Sequence, residues 1–422
     1  MLVKKIQKTE LFFFLSTIMI FWPNYFINNT IANKRISTIS LASFFLVLLI
    51  ILLLRYKTKN HILNANWFLS FLFVYILINI YINQIYLIGG VSIRDFAEIG
   101  RISGVLLFFY MGNILSSNVE IKYLFKFACI ISYLYMVILI GRLLNIIIIN
   151  KIYFLFYHNN LARFGGTSSG LNYIWIIPLL LLIINLIVLD KYKIKFKVFI
   201  NVLISIFVIV VSILLSGSRT SLVVIIVSSI MAILLKRHYS NRITIKRSIN
   251  FKLNRRKIYI LLLLFFVFIL IYNTNIYMNK FIVNKFNELR YIFTGQAIEI
   301  KNLNARFNWW KIIYKNEILS HPIIGQGSAK SMITIADNSF LMSLYRYGIM
   351  GLLLEFAVYI SLFLKYIKYI KEEDSEIYLI PIILLFAYLL SCIPANSFYE
   401  LKLPYFLFFI FGFFNNKVLL KY

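Results

Sequence analysis

Apolar runs long enough to cross the hydrocarbon core of a bilayer recur along the whole of this 422-residue chain. A core about 30 Å thick needs roughly 20 apolar residues per helix. Such runs fall near 11–29, 36–54, 66–88, 98–115, 122–148, 171–189, 196–215, 220–235, 258–274, 338–365, 376–393 and 403–420. A soluble domain is about 45–50% apolar. Here the fraction is 61% and the mean hydropathy +0.84, and a water-soluble protein has nowhere to put that surface. The expected fold is an all-α polytopic membrane protein of about 12 transmembrane helices, one membrane domain over residues 1–422. The run at 220–235 is short and that at 122–148 long, a mismatch that tilt absorbs.

Charge sets the sidedness. The chain carries 44 Lys+Arg against 15 Asp+Glu, a net +29. With no nucleic-acid-binding motif beside it, this excess points to membrane topology and anionic lipid rather than to nucleic acid. Basic residues in short loops stay cytoplasmic. The segment 236–257 holds Lys236, Arg237, Arg242, Lys246, Arg247, Lys252, Arg255, Arg256 and Lys257 with no acid. Read as the basic cytoplasmic loop, it places both termini inside. The outer segments are then 30–35, 89–97, 149–170, 216–219, 275–337 and 394–402. Lys4, Lys5 and Lys8 before the first apolar run resemble a signal peptide, but Phe21-Trp22-Pro23-Asn24-Tyr25 offers no small-residue cleavage site, so an uncleaved first helix is expected. Cys129 and Cys392 each lie in an apolar run and imply neither a disulfide framework nor a thiolate metal site.

The long outer segment 275–337 is polar, aromatic and basic. Ile282, Phe286, Leu289 and Phe293 recur at helical spacing, as do Phe307, Trp310, Tyr314 and Glu317/Ile318. Two short amphipathic helices lying along the headgroups are expected. Pro322 should stop the second, because the residue before proline is pushed out of helical geometry.

Several outer-face groupings have the chemistry to bind an anion. Leu215-Ser216-Gly217-Ser218-Arg219-Thr220-Ser221 interrupts two apolar runs with hydroxyls, a guanidinium and the backbone N–H groups of a new helix. These suit a phosphate; the alternative is a capping turn with a snorkelling arginine. Ala162-Arg163-Phe164-Gly165-Gly166 brings a second cation beside a close-approach backbone; the alternative is an ordinary turn. Arg346 and Glu355 lie inside the run 338–365, where ionisable groups face a cavity or a partner. They are nine residues apart, too far to pair along one helix, so Glu355 is expected to pair with another helix and Arg346 to reach the outer surface. His321 precedes a proline in a turn. Four histidines without a spaced cluster argue against zinc. No P-loop, G-x-S-x-G or paired aspartates occur, so nucleotide chemistry has no visible site and no cofactor is expected. An enzyme on the outer face needs a substrate already activated, and arginine is the natural ligand for a lipid diphosphate.

The order of these pieces resembles the Wzy-type polysaccharide polymerase and O-antigen ligase superfamily of bacterial envelope enzymes. Ser216-Gly217-Ser218-Arg219-Thr220 resembles the family's Ser/Arg turn, and Arg163 with its glycines the arginine-bearing outer segment. Arg306, Trp310 and His321-Pro322-Ile323-Ile324-Gly325-Gln326-Gly327 resemble the lead-in of the large loop. Asp337-Asn338-Ser339-Phe340-Leu341 and Tyr347-Gly348-Ile349-Met350-Gly351 resemble the re-entry into the membrane. Where ligases carry a His-Asn pair at re-entry, this chain has Asp337-Asn338, which favours the polymerase branch.

The resemblance implies a GT-C-like architecture in the bacterial cytoplasmic membrane and a metal-independent glycosyl transfer on its outer face. Donor and acceptor are undecaprenyl-diphosphate-linked glycans, with a flippase and a chain-length regulator as protein partners. Arg219, Arg163 and Arg306 would hold the diphosphate, with Ser218, His321, Asn338 and Arg346 as further substrate contacts. Asp337 would act as the base on the acceptor hydroxyl, its alternative role being the N-cap of a helix starting at Asn338 or Ser339. The alternatives are a ligase passing a lipid-linked glycan to a final acceptor, and a polysaccharide flippase or other transporter. No internal repeat is visible, which counts against the transporter.

The orientation is directly testable. A reporter active only in the cytoplasm, fused after Asn250, is predicted to be active, and alkaline phosphatase fused there inactive. The opposite pair of results would invert every outer-face assignment above.

Overall fold

A computed structural model describes residues 66–86, 93–116, 219–243, 301–327, 338–373, 376–394 and 402–415, with isolated positions near 40, 124 and 147. The described residues are helical, with no strand among them. In chain order they form α1 (Trp67–Ile80) with a π-helical turn at Tyr81–Tyr86, α2 (Ile93–Ser116), α3 (Arg219–Ile243) and α4 (Lys301–Ile313), the last followed by a π-helical turn at Tyr314–Ile318. After these come α5 (Ser339–Glu373), a 3-10 turn at Glu376–Tyr378, α6 (Leu379–Cys392) and α7 (Lys402–Phe413).

The chain divides into two compact units. One comprises Met1–Phe127, Lys151–His158 and Ala305–Tyr422; the other comprises Ala128–Asn150 and Asn159–Asn304. Of the named helices, only α3 lies wholly in the second unit. It continues to Ile243, so the beginning of the basic segment 236–257 is helical rather than loop.

Within the first unit, contacts along the helices fix their senses. Asn66 caps α1, its Oδ1 accepting from the Leu69 N–H at 3.2 Å, while its Nδ2 donates to Ser361 Oγ in the second half of α5 at 2.8 Å. Tyr75, further along α1, meets Tyr347 near the start of α5, so α1 and α5 are antiparallel. The ring pairs Tyr359–Tyr388 and Tyr369–Tyr378 make α5 and α6 antiparallel. The Tyr405 hydroxyl donates to Gly100 O at 3.2 Å, and Gly112 lies against Phe409 and Phe413, so α2 and α7 are parallel. Tyr366 and Tyr369 of α5 donate to Phe411 O near the end of α7 and to Asn415 O in the turn after it, at 2.8 and 2.9 Å.

The α2–α7 contact is close because glycine faces backbone on both sides. A Cβ on Gly112 would strike the Phe409 carbonyl, and one on Gly412 the Phe109 carbonyl. Small residues at such crossings bring helix backbones into van der Waals contact, which is a main source of helix association in lipid. The fully buried rings of Phe108, Phe109, Tyr347, Tyr366, Tyr388 and Tyr405 fill the unit's interior.

Among the described residues, two helices are long and apolar enough to cross a membrane, Asp95–Ser116 and Ser339–Glu372; Trp67–Asn83, Glu376–Cys392 and Leu403–Phe413 are shorter apolar helices. The helix α5 outruns its apolar stretch, continuing from residue 365 to Glu373. It is not continuous, however: Gly348 has φ 64° and ψ −168°, a backbone region essentially reserved for glycine. The break is absent from the apolar pattern, since Tyr347-Gly348-Ile349 sits mid-run.

Gly348→Ala is therefore predicted to destabilise the protein by about 1–3 kcal/mol through backbone strain alone. A Cβ there would also strike the Ile323 carbonyl. Thermal unfolding of the purified protein in detergent measures the loss, and an unchanged midpoint would exclude the break.

Candidate functional site

An uninterrupted α-helix bonds each N–H to the carbonyl four residues earlier. Across Gly348 that rule would join Ile349 N–H to Tyr345 O, and Met350 N–H to Arg346 O. Instead, the His321–Gly327 segment inserts and satisfies both sides of the break. Ile349 N–H donates to Pro322 O at 2.8 Å and Met350 N–H to Ile323 O at 3.4 Å. Tyr345 O accepts from Gln326 N–H at 2.8 Å and Arg346 O from Gly327 N–H at 3.0 Å. The exchange requires Gly325 and Gly327 at φ 78° and 85°, with Gly325 pressed against the Arg346 backbone. Pro322 supplies a carbonyl and needs no acceptor, having no N–H.

Two side chains of α1 close the remaining account. Tyr75 OH donates to Tyr347 O at 2.7 Å, and Asn79 Nδ2 to Ile324 O at 2.6 Å. Gln326 is itself anchored, its Nε2 donating to Glu317 O and Glu317 Oε2, both at 2.8 Å. Beneath the segment, Ile313 and Ile318 of α4 and its π turn pack on Met342 and Tyr345 of α5. The helical spacing read for Phe307, Trp310 and Tyr314 corresponds to α4 and that turn, and the helical geometry stops before Pro322 as expected.

Arg346 therefore sits on a backbone fixed from several sides. Its Nη1 donates to Glu98 Oε2 of α2 at 2.9 Å. The other carboxylate oxygen, Oε1, accepts from Arg101 one turn along α2, with Nε at 3.2 Å, and from the Tyr347 hydroxyl. Glu98 and Arg101 are buried, whereas the Arg346 side chain is 21% exposed. Removing one partner of a buried pair typically costs about 3–5 kcal/mol, because a charge is stranded.

Further along α5, Glu355 is buried and accepts from Ser343 Oγ at 2.5 Å and Tyr359 OH at 2.6 Å. Both hydrogen-bond donors belong to its own helix. Sequence reading expected Glu355 to pair with another helix; Arg101 of α2 does interact with its charge, while its hydrogen bonds come from α5, which the break redirects between Ser343 and Glu355.

Of the remaining sequence-selected residues, the side chains of Arg306, His321 and Asn338 are described. Arg306 donates from Nη1 to Pro394 O at 3.3 Å. His321 is exposed, its Nδ1 3.0 Å from Ser320 Oγ. Asn338 is the N-cap of α5: its Oδ1 accepts from Leu341 N–H at 3.0 Å, and its carbonyl from Met342 N–H at 3.1 Å. The capping role considered for Asp337 thus falls to the next residue. Asp337, Arg163 and Ser218 lie outside the described residues, as does the side chain of Arg219 at the start of α3. Among the described residues, no group of three His, Cys, Asp or Glu side chains is placed to hold a metal ion.

Sequence reading missed Glu98 and Arg101. Their signal was present: opposite charges three residues apart at the edge of an apolar run, a spacing that brings side chains together on a helix. It also missed Gln326 as the anchor of the inserted segment. No family model matches the chain, and no curated protein is significantly similar to it.

The cap gives a clean stability prediction. Asn338→Ala should cost about 0.5–2 kcal/mol, whereas Asn338→Asp should be nearly neutral. Chemical or thermal unfolding of both variants tests it, and equal stabilities would remove the cap.

Proposed function

We propose that this protein is a Wzy-type polymerase. It joins undecaprenyl-diphosphate-linked repeat units on the outer face of a bacterial cytoplasmic membrane. The acceptor sugar's hydroxyl attacks the anomeric carbon of the donor glycan. The bond from that carbon to the diphosphate oxygen breaks, and undecaprenyl diphosphate leaves. Asp337 takes the hydroxyl proton, and arginines neutralise the charge developing on the leaving diphosphate, the kind of electrostatic contribution that usually dominates.

The observation that carries this reading is the meeting of two motif pieces. His321–Gly327, from the lead-in of the large loop, is bonded backbone to backbone with Ile349 and Met350 of the re-entry motif Tyr347–Gly351 and with Tyr345 and Arg346 just before it. A slack connecting loop has no reason to do this; a scaffold that presents Arg346 does. The senses of α1, α2, α5, α6 and α7 support the membrane order too, being those required of the third, fourth, tenth, eleventh and twelfth spans. Arg163 and Arg219 enter the proposal from the sequence alone, as outer-face cations.

Deleting the protein is predicted to leave single repeat units still attached to their final carrier, read from the length distribution of the surface polysaccharide. If single units also fail to attach, the protein acts as a ligase instead. Asp337→Asn should leave the same one-unit product, with elongation slowed about 10²–10⁴-fold. Asparagine caps a helix as well as aspartate does, and Asn338 already caps α5, so that loss would report the base. Wild-type chain lengths in the Asp337→Asn strain would remove Asp337 from the chemistry.

A further inference from the structure

We infer that Glu98 is the positioning residue that aims Arg346 at the diphosphate of the lipid-linked substrate. The inference rests on the polymerase reading and deepens it, because it names the group that makes one of its arginines effective.

The two oxygens of the Glu98 carboxylate have separate tasks. Oε1 is held by Arg101 and by the Tyr347 hydroxyl, which fix the plane of the group. Oε2 is thereby turned to Arg346 Nη1 at 2.9 Å. A guanidinium is planar, with donors in a rigid fork, so fixing one of its edges fixes the direction of the others. The backbone beneath is held as firmly. The carbonyls of Tyr345, Arg346 and Tyr347 accept from Gln326, Gly327 and Tyr75, which belong to two different segments. Neither the main chain nor the head group of Arg346 has to be ordered when an anion arrives, and the entropic cost of binding falls accordingly.

Exposure selects the working member. The side chains of Glu98 and Arg101 are 7% and 5% exposed, whereas that of Arg346 is 21% exposed. The cluster therefore presents its charge to the surface through Arg346. A buried ion pair adds little net stability over an apolar core, and the break in α5 is already closed by main-chain bonds. Orientation of Arg346 is the role the geometry leaves to Glu98. It parallels the outer carboxylates that orient metal-binding histidines.

The test uses the purified full-length protein in detergent, with undecaprenyl diphosphate and undecaprenyl monophosphate as probes. The wild type is expected to prefer the diphosphate. Arg346→Lys and Glu98→Gln should each weaken diphosphate binding about tenfold or more, the scale of a charge-assisted hydrogen bond. The double variant Glu98→Gln/Arg346→Lys should bind no more weakly than Arg346→Lys alone, because Glu98 acts through Arg346. A merely structural Glu98 would add its own loss in the double variant, and that result overturns the inference. If Glu98→Gln does not give monodisperse protein, Tyr347→Phe decides the matter. It leaves both charges in place, removes one donor from Oε1, and should weaken binding several-fold in the wild type but not in the Arg346→Lys background. If the Arg346→Lys variant is weakened while Glu98→Gln and Tyr347→Phe bind as the wild type does, the positioning role is wrong and the polymerase reading stands. A wild type without preference for the diphosphate overturns both.

Discussion

A backbone N–H or carbonyl held away from water without a partner is costly, so a chain cannot break an apolar helix without replacing the bonds it gives up. This constraint organises the first unit of the protein. Gly348 interrupts α5, and the His321–Gly327 segment supplies donors to the carbonyls above the break and acceptors to the N–H groups below it. The repair itself exposes the carbonyls of Tyr347 and Ile324, which take Tyr75 and Asn79 from α1. A neighbouring segment and the distant helix α1 are thus both tied to the break in α5. The unusual glycine geometries follow from the exchange rather than from looseness, since each places a carbonyl or an N–H where a helix would have placed its own.

The charged cluster obeys the same logic with side chains. A lone carboxylate at the position of Glu98 would be expensive to bury. Arg101, one turn away on α2, shares the burial, and α5 adds Arg346 and the Tyr347 hydroxyl. Glu355 is treated more cheaply. Two neutral hydroxyls, from Ser343 and Tyr359, solvate it without importing another charge into α5.

Much of this was legible in the sequence, and the illegible parts have identifiable reasons. The apolar runs located α2, α5, α6 and α7 because 3.6-residue helices in an apolar setting leave an unmistakable stretch of hydrophobic residues. Helix ends were less visible: α3 and α5 both continue into basic residues, whose polarity ends the apolar run and not the helix. The segment His321–Gly327 and the stretch Tyr347–Gly351 each stood out as motifs. That they bond to each other could not be read, because backbone pairing between non-regular segments has no side-chain periodicity to betray it. Arg346 was visible as a cation within an apolar run, but its partner was not. A residue at position 98 offers no local sign that it meets position 346.

That sequence distance has a consequence for the making of the protein. The bond between Glu98 and Arg346 spans 248 residues, whereas the stitching of His321–Gly327 into α5 is local. At about 5–20 residues per second of synthesis, α2 waits on the order of tens of seconds for α5 to emerge. Throughout that interval Arg101, on the same helix, is already within reach of Glu98. The i,i+3 pair on α2 therefore serves as a chaperone for its own carboxylate, neutralising its charge on an apolar helix until the distant half of its unit has been made.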